Sequence, residues 1–339
     1  LTTYAQSGVD IAAGERATEL MSAAVKATYG PEVLAGIGAF GGLFDVSAFK
    51  DMQSPVLVAS TDGVGTKTMV AARTGRWDTI GHDLVNHCIN DILVQGAHPL
   101  FFLDYVASST LDPEQIATIV GGAADACRTV GCALLGGETA EMPGVYQSGA
   151  IDLVGMIIGV VEREKIIDGS RIRPGDAIIG LPSSGLHTNG YSLARRILDG
   201  LDWREPRDEL GESIGDALLE IHRSYLDSVR RIWEAQADVR GLAHITGGGV
   251  VGNLPRIFPT GVSAVIQRGT WHEPPIFSLI KQRGDVSDDE MFRAFNMGLG
   301  MLAIVPQEHF EQTLATLPGD AYRVGEIVSG DRGVTILKG

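Results

Sequence analysis

Short runs rich in Val, Ile and Leu recur along the chain, at Val56 to Ala59, Leu100 to Leu103, Ala133 to Leu135, Leu153 to Val161, Ala177 to Leu181 and Met301 to Val305. Their length and composition predict buried strands, and the stretches between them carry helical periodicity. From Gly81 to Ala97, Leu84, Cys88 and Ile92, and again Val85, Ile89 and Leu93, recur at helical spacing. A helix here would carry Asp83, His87, Asn90 and Asp91 on its complementary side, as a solvated face or as a ligand-binding one. Further helices are expected at Ser192 to Leu198, Ala217 to Ala235 and Val250 to Phe258, with a polar surface loop or insertion over residues 201–217. Alternating strands and helices argue for a mixed α/β (α+β) class. Ile166 to Asp176 is dense in charges and turn formers, which divides the chain into domains at 1–168 and 169–339. The longest apolar run, Leu153 to Val161, is too short for a membrane span.

Composition narrows the partners. The 339 residues carry 27 basic and 42 acidic side chains, a net charge of -15, which disfavours nucleic acid and anionic membranes. An anionic ligand would need locally placed cations, a metal or helix N-termini. Cys88, Cys127 and Cys132 are odd in number and lack metal-ligand pairing, so they are expected to be reduced core residues. Reduced cysteines suit the cytoplasm, where the protein is expected, and no signal-peptide pattern is visible over Leu1 to Ala17.

The segment Ser60-Thr61-Asp62-Gly63-Val64-Gly65-Thr66-Lys67 follows the first apolar run directly. Glycines let backbone N–H groups approach a ligand, Asp62 can hold a hard cation and Lys67 can neutralise phosphate. Gly36-Ile37-Gly38-Ala39-Phe40-Gly41-Gly42 matches a dinucleotide fingerprint in spacing alone. Pro31 and a helical pattern precede it where a Rossmann unit needs a strand, so a lid or nucleotide-contacting loop fits better. Two acids, Glu138 and Glu141, follow the run at Ala133 to Leu135 and the glycines Gly136 and Gly137. Oxygen ligands spread over Asp62, Asp91 and Glu138 suit Mg²⁺ bridging nucleotide phosphates better than zinc, with Asp104 joining them or capping a neighbouring loop. In the second half, Ser183-Ser184-Gly185-Leu186-His187-Thr188-Asn189-Gly190 and His244-Ile245-Thr246-Gly247-Gly248-Gly249 each read as a strand end, a glycine loop and a helix start. Such loops present N–H groups to phosphate. Asn296 offers an amide contact or marks a tight strand entry.

Taken in order, these segments, together with Ser7-Gly8-Val9-Asp10-Ile11, Phe101 to Tyr105 and Phe295 to Met301, resemble the phosphoribosylformylglycinamidine cyclo-ligase (AIR synthetase) family over nearly the whole chain. Ala39 stands where glycine is common, His98 where an acid is frequent and Ala294 where threonine is frequent. Selenophosphate synthetase usually has a reactive Cys near the N-terminal glycine loop, whereas the first cysteine here is Cys88. A hydrogenase-maturation relative usually ends in cysteine, whereas this chain ends Lys338-Gly339. The resemblance implies a PurM-like two-domain fold, a homodimer whose N-terminal strands join in an intersubunit barrel, and ATP-dependent closure of formylglycinamidine ribonucleotide (FGAM) to 5-aminoimidazole ribonucleotide (AIR). It implies Mg²⁺ on Asp62, Asp91 and Glu138. ATP would lie at Gly36, Gly38, Gly41, Gly42, Asp62, Gly63, Gly65, Thr66, Asn90 and Thr139. Substrate would lie at Ser184, Asn189, Thr246, Gly247, Gly248 and Asn296, with Lys67, His187 and His244 catalytic.

Overall fold

The computed structural model describes Gln6 and residues 8–338; Ser7 of the N-terminal motif lies outside them. The chain divides into two compact units, one comprising residues up to Ile92 with Ala97–Glu164, the other Leu93–Gly96 with Lys165 onward.

The first unit contains α1 (Ile11–Lys26), β1 (Val33–Ala35), β2 (Leu43–Phe44), β3 (Pro55–Gly63), α2 (Thr68–Thr74), α3 (Ile80–Leu93), β4 (His98–Ser108), α4 (Pro113–Val130), β5 (Ala133–Glu141) and β6 (Ile151–Glu162). Its sheet runs β3-β6-β4-β5, with β4 and β5 parallel and the other pairs antiparallel. Local chemistry sets the helix ends. Asp10 caps α1 by accepting from the N–H groups of Ala12 and Ala13, and α4 starts at Asp112-Pro113 and stops at left-handed Gly131. The three cysteines are free and buried.

Two local readings change here. The expected buried strand at Val56 to Ala59 is an edge strand running on through Gly63, and Leu57 is 64% exposed. Alternate residues of β3 leave the helix-covered face, so the apolar run is not buried on both sides. A short strand, β1, does precede the glycine-rich segment, but it pairs antiparallel with β2, making the glycines a hairpin loop rather than the turn of a parallel βαβ unit.

The second unit contains β7 (Ala177–Pro182), α5 (Tyr191–Leu198), β8 (Pro206–Arg207), β9 (Glu212–Ser213), α6 (Ile214–Leu219), α7 (Leu226–Glu234), β10 (Gly241–His244), α8 (Gly249–Asn253), β11 (Val262–Gln267), α9 (Pro275–Gly284), α10 (Asp288–Ala294), β12 (Leu299–Val305), α11 (Phe310–Thr316), β13 (Tyr322–Ser329) and β14 (Val334–Leu337). Six strands form the order β10-β12-β7-β13-β11-β14, antiparallel except for β11 with β14. β12 is buried throughout, which explains its unbroken apolar run. One core joins Ala177, Ile179 and Leu181 to Val229, Ile232 and Phe310. The helix expected from Ala217 to Ala235 is two helices, α6 and α7, separated at Glu220–Tyr225, and the expected Val250 to Phe258 helix is α8 followed by a 3-10 turn at Leu254–Ile257. Pro255 lacks an N–H and so cannot continue the α-helical ladder.

Candidate active site

In the first unit β3 delivers Asp62 to its C-terminal end, and α3 lies against it. The Asp62 carboxylate meets His87 Nε2 at 2.8 Å and accepts the Gly63 N–H at 2.7 Å. Ser60 Oγ donates to Asp91 at 2.9 Å, and Asp91 comes within 4.8 Å of His87. Burial opposes both charges of the Asp62–His87 pair, yet their bond and mutual attraction prevail, holding Asp62 below the ordinary carboxylate range and His87 above the ordinary imidazole range. Asp62 and Asp91 are anionic neighbours with oxygen ligands, a donor set that fits a hard divalent cation. Lys67 differs from its expectation. It is fully buried and paired with the equally buried Asp83 at 2.8 Å, so its ammonium fastens the Gly65–Lys67 turn to α3. Thr66 and Gly65 stay in that turn, and Asn90 is buried in α3.

Glu138 departs from the expected trio. It lies on β5, and β6 and β4 separate β5 from β3. Three strand spacings put the two backbones about 14 Å apart, too far for Asp62 and Glu138 of one chain to share a Mg²⁺ held at about 2 Å. Glu138 lines a different cavity of about 690 Å³, with α1 residues Ile11 and Met21, Ile37 and Gly38 of the hairpin loop, and Asp104, Gly137 and Thr139. Of the hairpin glycines 36, 38, 41 and 42, Gly38 alone reaches this cavity, and its φ of 92° suits glycine. Asp104 is in register with Gly137, and a Cβ there would collide with the Asp104 carboxylate. Burial raises the Asp104 pKa to about 7.

The second unit gathers the two histidine loops. His187 takes a left-handed φ of 62°, and its Nε2 accepts the Ser184 N–H at 3.2 Å. Its ring stacks on His222 at 4.0 Å, and His222 Nε2 lies 3.1 Å from His244 Nε2. Asn189 Nδ2 reaches Thr188 Oγ1 at 3.5 Å. In the other loop, Asn253 Nδ2 donates to the carbonyls of Thr246, Gly247 and Gly249, while Thr246 Oγ1 donates back to Asn253 Oδ1. Gly248 and Gly249 both have positive φ. Asn296 is buried and internally engaged: its Oδ1 accepts from Ser183 Oγ and the Gly298 N–H, and its Nδ2 donates to Gly185 O. It clamps two loops together.

Comparison with known proteins sets this geometry in a family. The model of "AIR synthase related protein, N-terminal domain" matches residues 45–161, and that of the C-terminal domain matches 173–338. Phosphoribosylformylglycinamidine cyclo-ligase of Desulfitobacterium hafniense is 50% identical over 338 residues, spanning 99% of both chains. This chain belongs to the phosphoribosylformylglycinamidine cyclo-ligase family. The Myxococcus xanthus cyclo-ligase is 52% identical over 342 residues, again 99% of each. Among solved structures, hydrogenase maturation protein HypE in complex with ATP matches at a TM-score of 0.67 and 19% identity, covering 94% of this chain and 90% of that one. Thiamine-monophosphate kinase from Stenotrophomonas maltophilia matches at 0.65 and 17%, covering 94% and 95%. At those identities the likeness is one of fold, and the fold is PurM-like.

Site reasoning from sequence left His222 and Asn253 unnoticed. His222 sits in Glu220–Tyr225, a link read as helix interior, and carries no motif around it. Asn253 is four residues beyond the last glycine of its loop, and only its hydrogen bonds reveal what it does.

Proposed function

We infer that the chain closes the imidazole ring of AIR from FGAM with consumption of ATP. The observation that carries this reading is full-length identity of about half with cyclo-ligases, in a chain whose acidic and histidine loops fold into two defined clusters. A formamide carbonyl is a poor electrophile and its oxygen a poor leaving group. Transfer of the ATP γ-phosphoryl group to that oxygen answers both, the ribose-bearing nitrogen then attacks the formyl carbon, and phosphate departs as the ring closes.

Asp62 and Asp91 would hold Mg²⁺ through their carboxylate oxygens. When bound, the ion supplies positive charge for phosphoryl transfer. His87, bonded to Asp62 through Nε2, fixes that carboxylate's orientation. The backbone of Gly63, Gly65 and Thr66 is the candidate phosphate cradle. Lys67 acts by holding this turn to Asp83. Gly38, Glu138, Thr139 and Asp104 line the cavity offered to nucleotide, of a size suited to a small molecule. Ser184, Asn189, Thr246, Gly247 and Gly248 are candidates for the substrate's ribosyl phosphate, Asn296 supports them from behind, and His187 and His244 are candidates to move protons or contact phosphate.

The protein acts as a homodimer in this reading. Leu57 of the edge strand β3, 64% exposed, and Met156 of the adjoining β6, 41% exposed, stand on the open face of the first unit's sheet. An apolar edge of that kind is a natural site for a second copy. Among the described residues, no helix is long and apolar enough to cross a membrane.

The test is direct. Purified protein with FGAM, Mg²⁺ and ATP should form diazotisable aminoimidazole and ADP in equal amounts, and only when FGAM is present. Asp91→Ala should abolish Mg·ATP-dependent turnover and keep the folded circular-dichroism spectrum; near-normal turnover would remove Asp91 from the metal site.

A further inference from the structure

Three buried imidazoles meet in the second unit, and only two of them lie in the glycine loops. His222, from the link between α6 and α7, is the third, and it is fully buried. Both of its ring nitrogens are engaged: Nδ1 lies 3.3 Å from Thr188 Oγ1, and Nε2 lies 3.1 Å from His244 Nε2. The His187 ring covers one face of His222 at an interplanar angle of 20°. A ring flip would break both polar contacts at once.

We propose that His222 is the positioning residue for His244, holding that ring in one tautomer, with Nε2 accepting and its hydrogen on Nδ1. The chain of donors sets the direction. Asn189 Nδ2 donates to Thr188 Oγ1 and so occupies one of its acceptor positions, and in the proposed direction the hydroxyl donates to His222 Nδ1. A neutral imidazole that accepts at Nδ1 carries its hydrogen on Nε2, so His222 donates to His244 Nε2. His244 then accepts at Nε2 and keeps Nδ1–H. The restraint matters because His244 is the last residue of β10 and leads into a loop whose Gly248 and Gly249 have positive φ. Pairing of β10 with β12 fixes the His244 backbone but sets neither the rotation nor the tautomer of its ring, and the His222 contact is what sets them. The role in turnover rests on the reading that His244 serves the ligase reaction.

Two readouts on the full-length protein separate the parts. With ¹⁵N-labelled histidine, NMR should show His244 as the Nδ1–H tautomer, and His222→Phe, which keeps an aromatic ring against His187, should abolish that fixed tautomer. Thr188→Val, nearly isosteric, should disturb it from the far end of the chain and serves if the Phe variant does not fold. In turnover, His222→Phe should lower kcat by about 10–100-fold, the usual size for loss of a hydrogen bond that orients a functional imidazole, with KM for ATP unchanged. His222→Gln, whose amide N–H can replace the Nε2 donor, should recover most of that loss. An unchanged His244 tautomer in both His222→Phe and Thr188→Val would overturn the positioning itself. A loss in KM alone, or no rescue by Gln, would overturn its part in turnover. Full turnover by His244→Ala would instead fail the reading beneath it, whatever the NMR result.

Discussion

Asp104→Asn should stabilise the ligand-free protein, and do so in a pH-dependent way. In the native state burial raises the carboxyl from 3.8 to about 7. The folded protein therefore binds this proton more tightly than the unfolded chain does, and stability falls as pH rises between the two values. The penalty is absent below 3.8 and complete above about 7. A separation of that size at 1.36 kcal/mol per unit sets an upper limit of about 4 kcal/mol. Asp104 is half-buried and borders a cavity open enough for water, so roughly 1–3 kcal/mol is the expected cost at pH 8.5. Asparagine is the same shape without the ionisation, and it keeps clear of Gly137 as aspartate does. At roughly 2–4 °C per kcal/mol for a domain of this size, thermal unfolding at pH 8.5 should shift upward by about 2–12 °C. At pH 4.5 most of that gain should vanish. The assay is the difference in Tm between variant and wild type at the two pH values, without nucleotide. An equal gain at both, or a loss at pH 8.5, would refute the claim that a buried, ionisable carboxyl is the source.

The Asp62–His87 pair makes an opposite test. Raising His87 yields stability that is present below 6.5 and lost as pH climbs through its raised value, while lowering Asp62 yields stability present above 3.8 and lost as pH falls through its lowered value. Asp62→Asn should therefore weaken the protein more at pH 6 than at pH 9.5 in urea unfolding, and equal losses would contradict the ion pair. For the proposed homodimer, Leu57→Asp should lower the sedimentation coefficient to that of a monomer, because it places a charge on an apolar face and removes about 1.5–3 kcal/mol of burial per copy; an unchanged dimer would move the interface elsewhere, and a monomeric wild type would remove the proposed dimer.

Much of this protein can be read from its chain alone. β12 and β7 are buried on both faces, so their residues are continuously apolar and no partner is needed to recognise them as strands. The helical spacing of Leu84, Cys88 and Ile92 marks α3 for the same reason, since one face must meet a core. The glycine loops and their acids and histidines are local in sequence, and their order identifies the family. What the sequence could not contain is which of these segments become neighbours. Asp62, Asp91 and Glu138 look equivalent as candidate oxygen ligands, yet the strand order β3-β6-β4-β5 keeps Glu138 away from Asp62. Lys67 reads as a phosphate ligand until Asp83, sixteen residues on, closes over it. His222 has no motif at all and gains its meaning only from Thr188 and His244, which lie far from it along the chain. Periodicity and motifs are set by adjacent residues, whereas ligand sets and proton-bearing contacts are set by the pairing of distant strands and loops, which only the folded structure decides.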